Sequence, residues 1–202
     1  MARKIIVGIL LSSLLLTAGC SLIVKTAFGI NEIKEYRDTE VQSFLVESQR
    51  KVSCRQIVAS IGQQDSLIRL DLDSTMMQHR GQPVQILYFD GDSLLFYHIN
   101  CYTQSGLFQF NWNNYHSFDH FPPSPTVVVP HNKESMTLSN YTRILPSLKP
   151  FRRYTVLILW SNVTRKVSAK AVDAVATNIQ GRNDCSLWLV NTDLWWANYL
   201  NK

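Results

Sequence analysis

Charge and cysteine are both scarce in this 202-residue chain: charged residues make up 17% of it, and there are four cysteines. Hydrophobic residues reach 46%, so a disordered or low-complexity polymer is excluded. Four cysteines are too few to staple a scaffold of this length, so a core must hold it together. No Cys-x-x-Cys pair, Gly-x-Ser-x-Gly elbow, Walker glycine loop or His-Glu-x-x-His occurs. The sequence signatures of dithiol exchange, serine hydrolysis, nucleotide cleavage and zinc proteolysis are therefore missing. The net charge of +5 is dispersed. Its densest point, Lys149, Arg152 and Arg153, reads as a solvated turn, and nucleic acid is not expected as a partner. The length suits one domain.

The strongest local signal lies at the start. Arg3 and Lys4 precede an uncharged, mostly aliphatic run from Ile5 to Leu16, which ends in Leu16-Thr17-Ala18-Gly19-Cys20. This has the form of a secretory leader. Small residues directly before a cysteine resemble the lipobox of bacterial lipoproteins. That resemblance implies acylation of the Cys20 thiol, cleavage ahead of it, and acylation of the new amino terminus. An uncleaved membrane anchor and an ordinary secretory leader are the alternatives, since no charge interrupts the run between Ile5 and Lys25. A spanning helix has no need of Gly-Cys there, which favours the lipoprotein. The expected division is a signal peptide over 1–19, a lipid-anchored tether over 20–37 and a single α/β domain over 38–202. Removal of the leader takes Arg3 and Lys4 with it and lowers the net charge from +5 to +3. Ser21 follows the cysteine, where aspartate favours inner-membrane retention in enteric bacteria. The outer membrane or cell surface is thus expected over the inner membrane.

Beyond the tether, Thr39 and Gln42 match a capping box ahead of a helix with Val41, Phe44 and Leu45 on one face. Ser66 to Asp73 carries Leu67, Ile68, Leu70 and Leu72 and reads as a strand. Val84 to Phe89 and Leu94 to Ile99 form a hairpin around Asp90-Gly91, with Pro83 at its mouth. Residues 106–125 are an aromatic stretch ending in a proline-rich loop, and Ser139 is a cap for a brief helix before Pro146. Tyr154 to Trp160 is an apolar run of the kind buried on both faces of a sheet. Val167, Ala171, Val175 and Ile179 give a helix stripe, Gly181 a left-handed stop, and Cys185 to Val190 a further strand. Strand, helix and strand in this order predict a parallel crossover within a mixed sheet flanked by helices.

The segment from Tyr154 to Asp193 resembles the active-site half of thioredoxin-like proteins. In that family an apolar strand runs into Trp-Cys-x-x-Cys at the head of a helix, and here it runs into Trp160-Ser161-Asn162-Val163-Thr164. Ser161 and Thr164 stand where the family keeps its cysteines. With Gln82-Pro83, Asn100-Cys101, Trp112-Asn113 and Phe121-Pro122-Pro123, the chain also looks similar to small thioredoxin-like lipoproteins of the Bacteroidetes that have lost the redox motif. The resemblance implies a permuted arrangement, in which the proline-led hairpin precedes the crossover instead of following it. It also implies that Val84–Phe89 lies antiparallel to Tyr154–Trp160, that Pro83 faces Ser161, and that the Gln82–Pro83 bond is cis. An unrelated mixed sheet is the alternative.

Redox chemistry is disfavoured, because hydroxyls at Ser161 and Thr164 cannot form a mixed disulfide. Cys54, Cys101 and Cys185 remain, an odd number, read as small buried residues or as one disulfide and one free thiol. His116 and His120 flank Asp119 and would bind zinc with His98 or His131 if that stretch were helical. Ordinary loop histidines are the preferred reading, so neither metal nor cofactor is expected. Asp71, Asp73, Asp90 and Asp92 read as turn and strand-end residues, not as paired catalytic acids. Asn140-Tyr-Thr and Asn162-Val-Thr match the glycosylation sequon, which a bacterial lipoprotein would seldom use. Aromatics from Tyr88 to Phe121 could present a platform for envelope protein, peptide or carbohydrate, although core packing is the preferred role. Trp195, Trp196 and Tyr199 are expected to dock on the core, with a membrane interface as the alternative. The expectation is a non-catalytic binding or assembly component of the envelope. The rival is an envelope enzyme using Cys101 or the His116/His120 loop.

Overall fold

The computed structural model describes Asn31 and residues 33–70, 82–103, 110–124 and 133–200. Cys20, the leader, Asp71, Asp73, Phe108 and His131 lie outside the described residues.

A five-stranded mixed sheet organises the chain, with helices on both faces. Its strands are β1 (Cys54–Val58), β2 (Gln85–Asp90), β3 (Ser93–Ile99), β4 (Tyr154–Trp160) and β5 (Cys185–Asn191), in the order β1-β5-β4-β2-β3. β1, β5 and β4 are mutually parallel, and β2 is antiparallel to both β4 and β3. The hairpin and the apolar run of β4 thus share one sheet in the expected sense. Two-residue closure of the hairpin uses Gly91 at φ +54°, a conformation that disfavours any side chain.

β4 is buried along its whole length because helices cover both sides of it. Val156, Ile158 and Trp160 point to one layer, where they meet Val41 and Phe44 of α1 (Asp38–Gln49) and Val167, Ala171 and Val175 of α4 (Arg165–Asn178). Leu157 and Leu159 point to the other, with Leu67 and Leu70 of α2 (Ile61–Leu70) and Leu138 and Tyr141 of α3 (Leu138–Ile144). The alternation follows from the two-residue period of a strand. A final helix, α5 (Asp193–Leu200), leaves the end of β5 directly.

Three local expectations are corrected. Ser66 to Leu70 belongs to helix α2, whose buried Gln64, Leu67 and Leu70 repeat at three-residue intervals. A reciprocal box starts that helix: the Ser60 amide donates to Gln63 Oε1 at 2.9 Å, and the Gln63 amide donates to Ser60 Oγ at 3.2 Å. The box expected at Thr39 does not form, because α1 begins two residues earlier, at Asp38, and Arg37 is its uncapped N-terminal flank. α3 is capped by Thr137, whose side chain accepts the Asn140 amide, and not by Ser139. Gly181 does take the left-handed conformation, at φ +75°.

Candidate functional site

Parallel strands β4 and β5 end side by side, and the loops that leave them converge on one buried carboxylate. Crevices outside the carboxyl ends of such strands are the usual ligand position in open α/β sheets. Asp193, 2% exposed, heads α5 there. Its Oδ1 accepts the Ser161 hydroxyl at 2.6 Å and the Asn162 amide at 2.8 Å. Its Oδ2 accepts Nδ2 of Asn162 at 2.7 Å and Nδ2 of Asn191 at 3.0 Å. Asn191 is positioned in return, since its Oδ1 accepts the Asp193 amide at 3.2 Å. Burying a carboxylate is costly unless its lone pairs are met, and here four donors meet them.

This arrangement fixes the chemistry of Ser161. Its hydroxyl donates to Asp193 and accepts the Val163 amide at 3.1 Å, so it caps the short 3-10 turn Asn162–Thr164. The other two motif positions are also packed into the fold. Trp160 is fully buried and stacks on Phe44, with ring centroids 3.9 Å apart. Thr164 is 8% exposed. Arg165 reaches from α4 to Asn162 Oδ1 at 2.9 Å and to Glu47 at 2.9 Å, closing the cluster toward α1. Beside it lies a polar cavity of about 690 Å³ lined by Asn31, Glu35, Arg37, Ser43, Asn162 and Arg165.

The β2–β4 ladder ends at Gln85 opposite Leu159. It stops two residues short of both Pro83 and Ser161. The cis bond expected at Gln82–Pro83 does not occur; among the described residues the cis peptide bond is Phe121–Pro122.

The rival sites are dispersed. Cys54, Cys101 and Cys185 are all free: Cys54 is buried, Cys101 exposed at the close of β3, and Cys185 half-buried at the start of β5. Burial pushes the Cys54 thiol up to about 11, and the atoms packed around Cys101 and Cys185 raise theirs as well. A reactive cysteine needs the opposite shift. His116 sits in an exposed turn at φ +57°, its Nδ1 2.9 Å from Asp119, so the helical pairing with His120 is absent. His98 is instead in the core, against Phe96, Trp112 and Phe118. Among the described residues no three of His, Cys, Asp and Glu gather where they could hold a metal ion. Asp90 is held by both arms of Arg153, which lower its pKa, and Asp92 receives the Ser139 amide at the head of α3.

Most of the described aromatics from Tyr88 to Phe121 pack the interior. Tyr88, Phe96, Tyr97, Trp112 and Phe118 are buried, and the Trp112 indole donates to the Val167 carbonyl at 3.1 Å. Tyr115, 49% exposed, is the outward-facing exception among them. At the opposite end of the parallel strands, a cleft of about 960 Å³ is lined by Lys51, Arg55, Phe151, Arg152 and Arg182. Its exposed Phe151 ring lies 4.5 Å from the Arg55 guanidinium and 5.5 Å from that of Arg152. Ser161 is legible in the sequence and Asp193 is not, although the Asn191-x-Asp193 spacing just after a strand is an available signal. No family model, no curated protein and no solved structure matches this chain.

Proposed function

We propose that the chain is a lipid-anchored envelope protein whose domain is a permuted, redox-inactive relative of thioredoxin, serving as a non-catalytic binding or assembly component. The observation that carries the redox-inactive half is the bond between Ser161 and Asp193. A thiol becomes an effective nucleophile when its surroundings favour the thiolate. The position that would bear the attacking sulfur here faces a carboxylate at hydrogen-bond distance, which disfavours a second negative charge. The strand order and the antiparallel pairing of β2 with β4 support the permuted arrangement. The basic cleft around Phe151 supports the binding half, because Arg55 and Arg152 make no ion pair among the described residues and are left to meet an acidic segment of a partner.

The experiment has two arms. Intact mass of the protein purified from its own membranes is expected to show an acylated Cys20 as first residue, with Cys20→Ala left unprocessed or released. A chain beginning at Met1 without lipid mass would defeat the anchor. In the second arm, Ser161→Cys is titrated with a thiol reagent. Its pKa is expected above the ordinary value of about 8.5. A thiol titrating below that value would defeat the redox-inactive reading.

A further inference from the structure

The final helix and the first described residue of the chain lie together. The Asn31 amide donates to the Val163 carbonyl at 2.7 Å, and Asn31 Nδ2 donates to the Asn162 carbonyl at 2.7 Å. Ile33 packs with Val163, Ala197 and Trp196. The segment leading back to Cys20 therefore departs beside α5, at the pole where β4 and β5 end.

α5 is an unusual helix to leave on a surface. From Leu194 to Leu200 it carries no charged residue, and Asn198 is its one amide side chain. Tyr199 is 60% exposed and Leu200 51%, while Trp195 and Trp196 are half-buried. Trp195 and Tyr199, one turn apart, stack at 4.9 Å with their planes 7° apart, and Trp196 meets Trp195 edge-on at 5.0 Å. The Trp195 indole donates to Asp65 of α2 at 2.7 Å, so the aromatic group is fixed to the body of the domain. Ile61, 39% exposed, starts α2 at the same pole. Rings with an apolar body and a polar tip are the side chains favoured at the boundary between headgroups and hydrocarbon.

We infer that the exposed face of α5, centred on Trp195, Tyr199 and Leu200, rests on the lipid bilayer and orients the domain there. The inference rests on the anchor proposed above. Eleven positions separate Cys20 from Asn31. However they run, they span at most about 40 Å, and a domain of this size is itself about 40 Å across. An anchor that short, leaving from beside α5, brings this pole to the membrane before any other. The basic cleft at the opposite end of the parallel strands is then turned outward. A second copy of the chain or another protein is a competing occupant of the face, and the measurement separates them.

The mature protein is inserted by its own acyl chains into vesicles of phosphatidylethanolamine and phosphatidylglycerol whose lipid tails are brominated, and its indole emission is recorded. Trp112, Trp160 and Trp188 are buried, so bromine in contact with the domain is reported by Trp195 and Trp196. Quenching is expected in the wild type, with loss of most of it in Trp195→Phe, which keeps a ring in place. Tyr199→Ser with Leu200→Ser, both at exposed positions, is expected to abolish it without disturbing the fold. An acylated protein whose emission is unquenched would overturn the inference and leave the anchor standing. If that protein also sedimented as a dimer, the face would belong to a second copy. A Cys20 free of lipid would overturn the anchor and this inference together.

Discussion

His98 is the residue whose surroundings predict a measurable behaviour most directly. It is fully buried, its Nδ1 accepts the Ile99 amide at 2.9 Å, and its Nε2 makes no hydrogen bond of ordinary geometry. Burial pushes its pKa down to about 4. The unfolded chain binds this proton near pH 6.5, so it gains it first as the solution is acidified. Stability is therefore complete above about pH 6.5 and declines as the pH falls toward 4, by on the order of 3 kcal/mol in total. Urea midpoints measured across that window are expected to slope steeply for the wild type and to flatten in His98→Leu. The variant is expected to be weaker at neutral pH, because the Ile99 amide loses its acceptor. Asp193 shows the limit of reading single residues. Its partners Ser161 and Asn162 lie some thirty positions away, and only the pairing of β4 with β5 brings them together.

At the scale of elements, legibility followed the width of the buried surface. β4 is buried on both sides and α4 carries a long apolar stripe, so each was visible from composition alone. β1 was not, because this edge strand includes Arg55 and Gln56 and buries only Cys54 and Ile57. α2 reads as a strand from sequence because Leu67, Ile68, Leu70 and Leu72 satisfy both a strand and a helix pattern over so short a run. The arbitrating signal was Ser60-x-x-Gln63, which has the same form as Thr39-x-x-Gln42 but stands immediately before its helix. Ser60→Ala is accordingly expected to cost about 1 kcal/mol, whereas Thr39→Ala, already inside α1, is expected to change little. Chemical denaturation of the two variants side by side checks the difference.

For the whole molecule, the sheet order governs when folding can finish. Among the described residues β1 is the first strand and pairs only with β5, the last: Cys54 waits for Leu187 and Val58 for Asn191. β5 also stands between β1 and β4, so without it the sheet is split into a lone strand and a three-stranded remnant. A chain ending at Gly181 keeps the hairpin, β4 and α4 in sequence yet is expected to show no slowly exchanging core amides by hydrogen exchange. Slow exchange in the β2–β4 ladder of that fragment would refute the expectation. Pairings this distant in sequence make folding late and slow relative to synthesis. Placing the partner of β1 some 130 positions downstream leaves that edge of the sheet unpaired, and open to other unpaired strands, for much of the time the chain is being made.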